Sequence, residues 1–175
     1  MLIFTGTAAF LLGMIISEAI FPGYHVTQVI SDLGTGPTAW LFNSAMVIFG
    51  IFLIASAYLL LNAGTKRYFI LLLGLAGSGA VLVGVIPETM GAPHVVAAAM
   101  VFLSGGLCAI TGYYVFRGPF SIFSPVFGSI TLVALVLLVS KLYFGMGMGG
   151  MERMAAYPLI IWALGAGAYL MSPGK

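Results

Sequence analysis

The side chains of this chain that can support chemistry are few, and they keep to one side. The acids are Glu18, Asp32, Glu88 and Glu152, and the histidines are His25 and His94. Each falls at or near the same side's end of a long apolar segment, as do Lys141 and Arg153. Carboxylates and imidazoles are the groups of general acid–base catalysis. Two imidazoles on one face can also ligate a metal or act as axial haem ligands. An arginine fork, helped by a lysine, holds a carboxylate or a phosphate. In so apolar a chain, polar groups at membrane depth are costly, so their clustering on one side predicts a site.

Each residue also has a plainer reading. Asp32 stands in Ile30-Ser31-Asp32-Leu33-Gly34, where a short carboxylate can cap a helix or turn. Ser31 beside it is a possible nucleophile, with no base adjacent in sequence. Glu18 and Glu88 fall near the C-terminal ends of apolar segments, where the helix dipole disfavours an anion. Exposure to water would relieve Glu88, whereas Glu18 is deeper and calls for a partner. Arg153 is the mirror case, a cation expected at a helix N-terminus; it either pairs with a carboxylate or phosphate or snorkels to the interface. Glu152 is well placed as a cap of that same helix, and Lys141 suits a helix C-terminus. His25 and His94 are not spaced i, i+4 on one helix, so no metal-ligand set is assigned. The run from Gly145 to Met151 offers soft thioether sulfurs suited to Cu(I), but reads better as a flexible apolar flap on the interface. The catalytic candidates are thus Asp32, His94 and Glu88, and the ligand-binding candidates Glu18, His25, Asn43, Lys141 and Arg153.

The elements that position these groups must be membrane helices. Of 175 residues, 62% are hydrophobic and 6% charged, against about 25% charged in soluble domains. Six segments reach the ~20 apolar residues of a membrane span. They run from Leu2 to Ile20, Ala39 to Leu61, Tyr68 to Ile86, His94 to Phe116, Ser121 to Leu142 and Met154 to Met171. The first lacks a preceding basic stretch and a cleavage pattern, so it is expected to be a retained span. Lys66, Arg67, Arg117 and Lys175 share the side of both termini, and only Lys141 and Arg153 lie opposite. That bias predicts cytoplasmic termini and an outward-facing polar end. The formal charge of +2 comes without a basic run, which excludes a nucleic-acid grip. Cys108 is the single cysteine and cannot form an internal disulfide. Small residues four apart, Gly74 and Ser78, Gly105 and Ala109, Ala163 and Gly167, predict close helix packing. No repeat relates the two three-span halves, so an inverted-repeat transporter is not indicated.

The pattern Ile30-Ser31-Asp32-Leu33-Gly34, then Leu41-Phe42-Asn43, Pro87 and Glu88 before His94, and Glu152-Arg153 ahead of a span with Trp162 resembles domain-of-unknown-function 998 (DUF998) proteins. These are six-span membrane proteins of bacteria and archaea. The resemblance implies topology and points to the same polar positions without giving them roles. The expectation is therefore an all-α polytopic membrane protein, one domain over residues 1–175, multi-pass in the cell membrane. Its outward polar pocket, walled by the candidates above, is expected to bind or modify a lipid or isoprenoid head group. The rival readings are a haem- or metal-binding electron-transfer protein on His25 and His94, a small transporter centred on Glu18, and an assembly subunit. Membrane lipids are the expected partners, with a homo-oligomer or a larger membrane complex possible; no cofactor is assigned.

Overall fold

Hydrocarbon offers no hydrogen-bond partner, so a spanning segment must satisfy its backbone internally. The computed structural model, which describes residues 1–172, does this with six helices. Lys175, counted above among the loop charges, lies outside the described residues. The helices are α1 (Leu2–Ile20), α2 (Ala39–Asn62), α3 (Arg67–Val85), α4 (Ala92–Thr111), α5 (Pro119–Val139) and α6 (Gly147–Met171). Their 19 to 25 residues correspond to about 28–38 Å, enough for a ~30 Å hydrocarbon layer. All six are long and apolar enough to cross a membrane. The protein is an all-α, six-span membrane bundle.

Each helix packs on the next, and α6 closes the ring against α1. Glycines set the closest crossings. A Cβ on Gly50 of α2 would lie 2.5 Å from the Gly77 carbonyl oxygen of α3, and one on Gly128 of α5 2.4 Å from that of Gly106 in α4. Gly167 meets the Phe4 backbone, closing α6 on α1. Without a hydrophobic force between helices in lipid, such approach supplies the packing contacts. Gly167 serves this purpose as expected; a Cβ on Gly105 would meet the Leu159 side chain of α6 rather than backbone, and Gly74 does not serve it. A Cβ there would make only an ordinary 3.8 Å contact with Ala57, and the glycine at the α2 crossing is Gly77.

Interior polar groups bridge helices. Trp162 Nε1 of α6 donates to Ser124 Oγ of α5 at 2.7 Å, and Ser124 donates on to the Ala109 carbonyl of α4 at 2.6 Å. Thr131 of α5 donates to the Ala155 carbonyl of α6 at 3.0 Å. Trp162→Phe removes the first link and keeps most of the ring, while Ser124 retains its acceptor. A loss of about 1 kcal/mol is expected, read as a modest fall in thermal midpoint; an unchanged midpoint would show that the bridge contributes nothing.

Three boundaries depart from the sequence expectation by three residues or more; the α-helix of the fourth span ends at Thr111, not Phe116, and passes into a 3₁₀ turn over Gly112–Tyr114. The last span begins at Gly147, not Met154, so much of the glycine-methionine run is helix and not a flap. Gly149 is the reason: its backbone lies directly under that of Thr27 and Gln28, and its N–H donates to the Thr27 carbonyl at 3.1 Å. The fifth span stops at Val139. Lys141 takes a left-handed conformation (φ 59), its N–H returns to Leu138, and that of Leu142 returns to Leu137. This is a Schellman closure, which satisfies carbonyls left open by the helix end.

Candidate functional site

The α1–α2 loop, from Phe21 to Thr38, lies across the end of the bundle opposite the chain termini. Interleaved apolar residues draw it down: Ile30 and Leu33 are buried in a 3₁₀ helix spanning Ile30–Gly34. Asn43 Nδ2 holds the Gly34 carbonyl at 3.0 Å, and Thr38 Oγ1 holds that of Leu33 at 3.1 Å.

Arg153 is the main clasp. It stands in the second turn of α6, 7% exposed, not at the helix start. Nη1 donates to the carbonyls of Val26 (2.9 Å), Gln28 (2.8 Å) and Gly149 (3.1 Å). Nη2 donates to Glu18 Oε1 at 2.5 Å and to the Tyr24 hydroxyl at 2.7 Å. The guanidinium carbon also sits 5.7 Å from the Tyr24 ring centroid, within cation–π range. Tyr24 in turn donates to the Val29 carbonyl at 3.0 Å. Burial pushes the Tyr24 phenol above its ordinary range, with the hydrogen bond from Arg153 opposing that rise; the hydroxyl therefore keeps the proton it donates. Of the three guanidinium nitrogens of Arg153, Nε is buried without a partner among the described residues.

Glu152 forms a second clasp. Its Oε2 accepts the Ile30 N–H at 2.5 Å, satisfying the first donor of the loop's 3₁₀ helix from another element. It does not cap its own helix, because that helix begins at Gly147, seven residues earlier than expected and five before Glu152. The carboxylates of Glu88 and Asp32 lie within electrostatic reach of Glu152.

Beneath the loop lies a cavity of about 80 Å³, lined by residues of α1–α4 and α6. Its walls are almost wholly apolar, with Phe10, Met46, Leu73 and Trp162 among them. Along α4 they extend from His94 to Cys108, about 21 Å of helix axis. The polar side chains on its wall near the loop are Ser31, His94 and Glu152. His94 is 6% exposed, and its Nδ1 lies 2.7 Å from the Ile86 carbonyl oxygen at the end of α3. A carbonyl only accepts, so Nδ1 carries the proton, and in the neutral ring Nε2 is a bare acceptor. A separate, open apolar groove between α5 and α6 is lined by Phe127, Met154 and Ile161, with Arg153 at its edge.

The expected polar pocket is thus replaced by a charge clasp beside an apolar cavity. Among the catalytic candidates, His94 lines the cavity. Asp32 is half-buried; among the described residues its side chain makes no hydrogen bond and caps no helix. Glu88 is half-buried, with Oε2 sealed off and unpartnered among the described residues. Among the ligand-binding candidates, Glu18 and Arg153 pair with each other. Asn43 fastens the loop. His25 is exposed, its backbone N–H held by the Gln28 side chain at 2.8 Å, and Lys141 is exposed at the end of α5. Sequence reasoning passed over Tyr24 and the cavity role of Glu152. The loop's alternation of aromatic and apolar residues pointed toward Tyr24; nothing local pointed to Glu152, whose partner is 122 residues away.

No curated protein and no solved structure matches this chain. The model of a family described as "Protein of unknown function (DUF998)" matches residues 4–169. That interval runs from the first turn of α1 to the last turns of α6, and so takes in all six helices, the loop and both clasps. With nearly its whole length matched, the chain belongs to the DUF998 family of membrane proteins.

Proposed function

We propose that this protein holds a single lipid chain inside its helix ring, with the lipid head at the loop end. The observation that carries the reading is the cavity: small, almost wholly apolar, and polar where Ser31, His94 and Glu152 meet it. Pockets of this composition, with a few placed polar groups, are the usual form of small-molecule sites. On this measure a water-sized group takes roughly 10–15 Å³, so the open space accepts on the order of six methylene-sized groups. Met14 and Met46 on the wall are flexible side chains whose rotation would lengthen it. In the orientation expected from the loop charges, the head would lie in the outer leaflet. Chemistry on that head would fall to His94, whose free Nε2 is the group placed to take a proton.

The rival readings gain less. Glu18 is tied to Arg153, which ill suits a proton relay for transport. His25 is exposed and His94 is buried against Ile86, which favours no shared haem ligation.

Filling the cavity tests the reading. Ala156 and Ala98 line it, whereas Ala9 faces lipid on α1. Native mass spectrometry of detergent-purified protein is expected to show one retained single-chain lipid in the wild type and in Ala9→Phe. Ala156→Phe and the milder Ala98→Leu are expected to lose most of it. Overpacking costs about 1–3 kcal/mol, so folding is checked by thermal midpoint in the same samples. Equal retention in folded filled and unfilled forms would end the proposal.

A further inference from the structure

We infer that the polar end of the cavity selects a lipid whose head donates hydrogen bonds, a hydroxyl or an ammonium, and turns away phosphate. The inference rests on the chain-binding reading above and adds the chemistry of the head.

The argument is an inventory of donors and acceptors. His94 is nine-tenths buried and lines the cavity, yet Nε2 has no partner among the described residues. With its proton committed at Nδ1 to Ile86, the neutral ring offers the cavity a lone pair and nothing else. Glu152 uses Oε2 on the Ile30 N–H, and Oε1 is unengaged among the described residues. An ionised carboxylate only accepts. Ser31, the third polar wall, has a hydroxyl that can follow whichever role the ligand leaves open. His94 Nε2 is thus an acceptor awaiting a donor, and Glu152 adds a second wherever it is ionised, the form that the Ile30 N–H favours.

The surrounding charge points the same way. Glu88 and Asp32 are near enough to Glu152 to act on it, so the region is already rich in carboxylates. Glu88 Oε2 is itself buried and unpartnered. The cation that would offset a phosphate is spent: both terminal nitrogens of Arg153 are engaged by Glu18, Tyr24 and loop carbonyls, and its Nε is sealed away. Lys141 is exposed and lies on neither the cavity nor the groove. An anionic head would thus enter among acceptors and like charges, whereas a hydroxyl or ammonium would satisfy groups now unpaired.

The experiment uses three amphiphiles with one chain: decanol, decylamine and decyl phosphate, titrated into delipidated protein in zwitterionic nanodiscs. Native mass spectrometry gives the stoichiometry and the dissociation constants. One molecule per protein is expected for decanol and decylamine, each at least about tenfold tighter than decyl phosphate, the scale of one hydrogen bond to a buried polar partner. Glu152→Gln keeps an acceptor for Ile30 but removes the charge; it should narrow the gap by improving decyl phosphate. His94→Phe should weaken decanol while leaving the cavity apolar. Equal or tighter binding of decyl phosphate by the wild type overturns the head-group inference and leaves the chain-binding reading standing. Saturable binding of none of the three, with folded protein, overturns that reading as well.

Discussion

Arg153→Ala is expected to be the most damaging single substitution at the clasp. It leaves the Glu18 carboxylate, 20% exposed, without its counter-ion, and takes the donor from the Val26 and Gln28 carbonyls. Breaking a buried pair by removing one partner costs about 3–5 kcal/mol, mostly from the charge left behind. Folding free energies are typically only about 5–15 kcal/mol, so folded yield and thermal midpoint in detergent should both fall sharply. Arg153→Lys should recover little, because one ammonium cannot reach a carboxylate, a phenol and two carbonyls from a fixed planar fork. The informative comparison is Glu18→Gln with Arg153→Met. If the loss is an orphaned charge, the double substitution is less harmful than the two single losses added together, by about 0.5–3 kcal/mol. A midpoint in Arg153→Ala equal to wild type would show that the loop is held by its apolar contacts alone.

Gly149→Ala should also destabilise strongly, against the sign that helix propensity gives. Alanine gains about 1 kcal/mol over glycine inside a helix. At Gly149, however, the new Cβ would lie 1.9 Å from the Gln28 carbonyl oxygen and 2.3 Å from its carbon. Both are backbone atoms, so relief requires the loop to lift. Lifting it breaks the Gly149–Thr27 hydrogen bond and withdraws acceptors from Arg153. A loss of about 3 kcal/mol or more is expected, with faster proteolysis between Tyr24 and Ile30. Gly74→Ala is the control: its Cβ meets only Ala57 at 3.8 Å, so the propensity gain of up to about 1 kcal/mol should survive. If both substitutions stabilise, the loop does not rest on α6 as described.

These two sites show which features could be read in advance. The spans were legible because hydrocarbon imposes a length and excludes charge, and both are local properties of a sequence window. The start of α6 was not, because Gly147, Gly149 and Gly150 lower local helix propensity and only the docked loop compensates. Gly74 and Gly77 illustrate the same limit: both are glycines on α3, and only the crossing point with α2 tells them apart. The cavity was invisible for a related reason, since it is space left between side chains of five helices and has no period along any of them.

By itself the sequence determined that the chain is a six-helix membrane protein and that its few ionisable groups gather at one end. Helix dipoles singled out Glu18, Glu88 and Arg153 as charges in need of compensation. Tertiary structure alone decided who compensates whom: Glu18 receives Arg153 across 135 residues, Ile30 receives Glu152 across 122, and Glu88 keeps an unpartnered oxygen. The physical reason is one of range. Hydrophobic length and dipole sign act within a segment, whereas a hydrogen bond of 2.5–3 Å exists only after packing has brought distant segments together.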